Sequence, residues 1–95
     1  MNYIERLAGR IRARVPSELL PSGDVDLLFL IYAVIGLSVG EAVSARDVHN
    51  GWTAWMAARG EVHDAMRPYE ELPTDVRRED EPFVRAIRDA LRERN

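Results

Sequence analysis

Asp24-Val25-Asp26-Leu27-Leu28-Phe29-Leu30-Ile31-Tyr32-Ala33-Val34-Ile35-Gly36-Leu37-Ser38-Val39-Gly40 is the stretch whose conformation decides the fold. Leu27 to Ile35 is an unbroken apolar run that continues through Gly36, Leu37, Ser38 and Val39 to Gly40. Asp24 or Asp26 can start a helix by accepting hydrogen bonds from free backbone N–H groups and by complementing the helix dipole. A helix over the fourteen residues 27–40 would be about 21 Å long, against a hydrocarbon core of about 30 Å. Two Gly, one Ser and the flanking acids weaken the case for a membrane span further. The run therefore predicts a buried central helix in a water-soluble protein, apolar around its whole circumference and needing neighbours on every side.

The flanking segments supply those neighbours. Before it, Ile4, Leu7, Ala8, Ile11 and Val15 recur at helical spacing from about Asn2, which can cap the start, while Pro16 ends the helix at or before Val15. Residues 15–23 read as a loop with room for one helical turn after Ser17. After it, Ser44-Ala45-Arg46-Asp47 resembles a capping box with Asp in the acid position. Ala45, Val48, Trp52, Trp55 and Met56 make the apolar stripe of that third helix, and Gly60 stops it. Residues 61–66 could add a short helix. Pro68 and Pro73 bracket Tyr69-Glu70-Glu71-Leu72, which must be irregular or a single turn, with Tyr69 and Leu72 tying it to the Trp helix. Asp80-Glu81-Pro82 supplies a cap, an acid and an early proline for the last helix. Phe83, Val84, Ile87 and Leu91 form its buried stripe, and Arg85, Arg88, Arg92 and Arg94 stay wet. No segment alternates at period two, so the expectation is a single all-α domain over residues 1–95. Its architecture is a compact bundle of about four helices with an extended proline-bracketed connection before the last.

Composition narrows the function classes. The chain has no cysteine, which excludes disulfides and thiolate metal sites. Its start, Met1-Asn2-Tyr3-Ile4-Glu5-Arg6, has no apolar stretch of the secretory kind, so a cytoplasmic protein is expected. All thirteen basic residues are Arg and the net charge is −3, which gives no general reason to expect nucleic acid. Ninety-five residues bury a small core, so a homodimer that covers part of the second helix is a further expectation.

Catalytic and metal chemistry lack their usual constellations. His49 and His63 are fourteen residues apart and have no third ligand at helical spacing, so no metal or other cofactor is expected. The serines sit in no nucleophile turn, Gly36 and Gly40 make no phosphate cradle, and the acid pairs read as solvated or capping. The protein is expected not to be an enzyme. What remains is a candidate binding surface: His49, Trp52 and Trp55 on one helix, with Tyr69, Glu70 and Glu71 in the turn that His49 can reach. Arg6, Arg10 and Arg14, at i,i+4 spacing on the first helix, form an alternative basic stripe.

The same residues carry a resemblance. His49-x-x-Trp52 on a helix, then Pro68-Tyr69-Glu70-Glu71-Leu72-Pro73, then Arg78-x-Asp80 before a final helix, resembles the ryanodine-receptor repeat domain over about residues 45–91. That family normally places a partly extended insertion between the Trp helix and the turn; only residues 54–67 occupy that place here, so its strands are not carried over. Over its whole length the chain is similar to a group of small uncharacterised proteins of actinobacteria and their phages, which share the Leu-rich helix, the Val-His-x-x-Trp-x-x-Trp helix and the proline-flanked turn. The resemblance implies a non-enzymatic protein-binding or regulatory module, one form being a small phage-type protein that docks onto a host protein. The alternative is a small-ligand or nucleotide-sensing domain with its pocket near His49 and Trp52.

Overall fold

In the computed structural model, which describes residues 1–93, the first helix begins where the sequence offers a cap. Asn2 accepts from the Glu5 backbone N–H while the Glu5 side chain accepts from that of Asn2, closing a capping box at the head of α1 (Tyr3–Ala13). A single 3-10 turn, Ser17–Leu19, follows Pro16. Helix α2 (Asp26–Val39) starts where Asp24 Oδ1 accepts from the Asp26 N–H, and it ends at Gly40, whose φ of +72° few other residues adopt. Ser44 and Asp47 form the expected capping box of α3 (Ala45–Ala58), and Gly60 in the left-handed region stops it.

Beyond α3 the chain departs from the sequence reading at two places. Residues 61–66 contain only a turn at 64–65, not a helix. A short helix, α4 (Thr74–Arg78), stands where an extended connection was expected. Pro73 precedes it and Val76 is its half-buried apolar residue. The proline-bracketed segment itself is one 3-10 turn, Tyr69–Glu71. Helix α5 (Glu81–Arg92) closes the fold. The protein is all-α, with no strand among the described residues.

Helix α2 is the hub, packed against α1, α3 and α5, and α1 also touches α5. Phe29 and Tyr32 on α2 meet Phe83 on α5, with Tyr32 and Phe83 ring centroids 5.6 Å apart. The helices come close because two of them lack side chains at the crossings. A Cβ on Gly51 would lie 2.9 Å from Ile35 Cδ1, and one on Gly36 would lie 3.1 Å from Ile87 Cγ2. Leu7, Ile11, Leu28, Val43, Val48, Trp55 and Ile87 fill the core between them.

The expectation that α2 is covered on every side does not hold. Leu28, Phe29, Tyr32, Ala33 and Gly36 are buried, but Leu27 and Val34 are 46% and 48% exposed, Leu37 is exposed, and Leu30 and Ile31 are half-buried. Three neighbouring helices do not enclose a fourth, so one stripe of α2 stays open. No helix among the described residues is long and apolar enough to cross a membrane.

The last helix also corrects the sequence reading at Arg88. Arg85 and Arg92 are exposed as expected, but Arg88 is half-buried and donates to the carbonyl oxygens of Glu41 (3.1 Å) and Val43 (2.8 Å). It thereby satisfies backbone acceptors of the α2–α3 link that no helix serves. Arg94 lies outside the described residues.

Candidate functional site

Helix α3 projects His49 and Trp52 one turn apart from the same edge, and the rings stack at 5.8 Å. His49 is 3% exposed, and its Nε2 lies 2.6 Å from the carbonyl oxygen of Arg67. A carbonyl only accepts, so Nε2 carries the proton and donates. The bond holds the residue just before Pro68, and the sequence reading that this ring packs on the proline-bracketed connection is realised by its contact with Tyr69, 6.2 Å between ring centroids. His63 is exposed, its Nδ1 accepts from the Ala65 N–H, and its ring meets Trp52 edge-on at 5.4 Å.

The turn after Pro68 is fastened from both sides. Leu72 is buried, and Tyr69 packs on His49 at 6.2 Å between centroids. The guanidinium groups of Arg46 and Arg77 lie over the Tyr69 ring, and Arg77 donates to the carbonyl oxygens of Tyr69 and Glu70. Arg46 also pairs with the Glu70 carboxylate at 2.5 Å. Glu70's own backbone hydrogen bond and then Arg46 hold its carboxyl below the usual range. Of the turn's two acids, Glu70 is paired with Arg46 and Glu71 has no cation partner among the described residues.

Beside this cluster lies a cleft of about 430 Å³, built where α2, α3 and the α4–α5 junction meet the loop after α1. Tyr32, His49, Trp52 and Phe83 give its aromatic walls, with Val76, Pro21 and Leu19 beside them, and Glu18, Glu79 and Asp80 are its carboxylates. Asp80 stands at the N-cap position of α5, yet its side chain makes no capping bond. This corrects the sequence reading of Asp80 as a cap. Instead it is a half-buried wall of the cleft, and burial, opposed by nearby His49 and helped by Glu79, pushes its carboxyl up to about 6. Tyr32 is 1% exposed, and burial, with Asp80 close by, drives its hydroxyl well above the usual phenol range.

The sequence-based candidates separate accordingly. His49 and Trp52 line the cleft; Tyr69, Glu70 and Glu71 form the adjoining turn. Trp55 belongs to the core, fully buried, with the Arg59 guanidinium 4.2 Å from its ring centre. The basic stripe is not three free cations. Arg14 pairs with Glu93 and donates to the Arg10 carbonyl, Arg10 is half-buried, and Arg6 donates to the Met1 carbonyl. Tyr32, Asp80 and Phe83 were read as core, cap and core; a lone hydroxyl inside the apolar run was the available signal for Tyr32.

A protein-family model described as Domain of unknown function (DUF7701) matches residues 2–92. No curated protein and no solved structure matches the chain.

Proposed function

For a chain that belongs to the DUF7701 family, whose description assigns no activity, we propose a non-enzymatic binding module that docks a protein partner at the cleft between α3 and the α4–α5 junction. One observation carries this reading. The cleft combines rigid aromatic walls with a half-buried carboxylate that spends nothing on its own helix. Aromatic anchors in partly desolvated pockets dominate the energetics of protein interfaces, and the walls here are held by packing and by the His49–Arg67 bond before any partner arrives. The resemblance of residues 45–91 to the ryanodine-receptor repeat, which implies an interaction module, points the same way.

The cleft's volume favours one second reading, a small-ligand sensor, since about 430 Å³ is within the common range of such pockets. Three carboxylates and no arginine on its walls disfavour the phosphates of a nucleotide. Two measurements divide these readings. Tagged protein expressed in its native cells should retain a partner that the Trp52→Ala protein, folded by circular dichroism, loses. A metabolite that raises the melting temperature according to RT ln(1 + [L]/Kd), with no protein retained, would favour the sensor.

A further inference from the structure

From the cleft's charge and ring content we infer that it receives a cationic side chain, the guanidinium of an arginine or the ammonium of a lysine, presented by the protein partner. The inference rests on the docking reading above and adds the chemistry of what docks.

This chain is rich in arginine and uses it to pair carboxylates elsewhere. Arg12 meets Asp26, Arg14 meets Glu93, Arg46 meets Glu70, Arg59 meets Glu61, and Arg92 meets both Glu41 and Asp89. Among the described residues Glu5, Asp24, Asp47, Asp64, Glu71, Asp75 and Glu81 have no such pair, but none of them lines the cleft, where three unpaired carboxylates gather around aromatic walls. Glu18, Glu79 and Asp80 line it, no arginine does, and Asp80 has neither an ion pair nor a side-chain hydrogen bond among the described residues. A half-buried carboxylate without a partner is costly, and an incoming cation removes that cost by supplying charge-assisted hydrogen bonds.

A second observation is independent of the acids. Tyr32 lines the same cleft, is 1% exposed, and its hydroxyl has no hydrogen-bond partner among the described residues. The hydroxyl is not among the sealed, unpartnered polar atoms, so it opens to the cleft and is free to accept from a ligand that brings a donor. An ammonium or guanidinium N–H is such a donor, and the phenol oxygen accepts it. The remaining walls suit the same guest. Trp52, Phe83 and Tyr32 line the cleft with aromatic rings, and a cation is attracted to such rings as well as to a carboxylate. Anionic guests meet three like charges, and a neutral aliphatic guest would leave Asp80 and Tyr32 unpartnered.

The test titrates isotope-labelled full-length protein at low salt with N-acetyl-arginine amide and N-acetyl-lysine amide, with N-acetyl-citrulline amide as the neutral isostere. The Trp52 indole N–H and the amides of residues 79–84 should shift with the two cations and not with citrulline. Asp80→Asn should weaken the binding about tenfold or more while the protein stays folded. Tyr32→Phe, which keeps the packing, should weaken it by a smaller factor. Equal shifts from citrulline amide, unchanged binding to the Asp80→Asn protein, or no shift with either cation would overturn the inference. If no probe binds but Trp52→Ala still abolishes partner retention, the cationic guest is wrong and the docking reading survives. If the cations bind and no partner is retained, the docking reading fails instead.

Discussion

His49 Nε2 donates to the carbonyl oxygen of Arg67, eighteen residues further along, at 2.6 Å. This bond ties α3 to a connection that has no helix of its own from Arg59 to Pro68 and so fixes one wall of the cleft. His49→Ala should cost roughly 1–3 kcal/mol by denaturant unfolding, the range for stranding a buried acceptor. Amide exchange should accelerate selectively over residues 61–73. Exchange that stays at the wild-type rate there would mean that Tyr69 and Leu72 hold the connection alone.

The one-sided burial of α2 makes a sharp contrast between neighbouring substitutions. Leu28 and Phe29 are fully enclosed, so Leu28→Ala should destabilise by about 2–5 kcal/mol and Phe29→Ala by about 3–5 kcal/mol. Val34, half open to solvent, should cost under about 1 kcal/mol on replacement by Ala. Comparable losses at Leu28 and Val34 would mean that something covers the open stripe in solution.

Much of this architecture is legible in the sequence, and the reasons are local. Asn2, Ser44, Gly60 and Pro16 mark helix ends through hydrogen-bond and dihedral rules that operate within a few residues. The reach of His49 toward the proline-bracketed turn was readable from its place one turn before Trp52. Asp80 was misread because Asp before Glu-Pro matches a cap in every local respect. Its place on the cleft wall depends on residues distant in the chain, Glu18, Tyr32, His49 and Trp52, that only the assembled fold brings beside it. Helix α2 was misread for a related cause: an all-round apolar segment says what it could bury, and the number of neighbours decides how much it does. Arg88 looked solvated because its acceptors, Glu41 and Val43, lie more than forty residues away in the chain.

The two tryptophans should separate stability from binding. Trp55 is sealed in the core, so Trp55→Ala should cost about 3–5 kcal/mol. Trp52 is half-buried at the cleft, and Trp52→Ala should lose less stability but all partner binding. A Trp52→Ala protein that binds normally would exclude the cleft as the binding face.

Asp80 should behave as a group retained at the expense of stability. Its folded-state carboxyl is raised from 3.8 to about 6, so the fold favours the protonated acid. The stability that protonation contributes is fully present below about pH 4 and is lost as the pH rises through about 6. Asp80→Asn should therefore raise stability at pH 7, by on the order of 1 kcal/mol once solvent screening of a partly open group is allowed for. Below about pH 4 the two proteins should melt alike. An Asn variant that melts below wild type at pH 7 would show that the ionised carboxylate has a stabilising partner.

Site-specific photo-cross-linking in the cells that make the protein tests the docking reading most directly. A photo-reactive residue in place of Glu79, on the cleft wall, is compared with the same residue in place of Val34, on the open stripe of α2, and of Arg6, on the outer face of α1. Docking at the cleft predicts one discrete cross-linked product from position 79, lost when Trp52→Ala is added, and none from positions 34 or 6. A product from position 34 or 6, with none from 79, would contradict it.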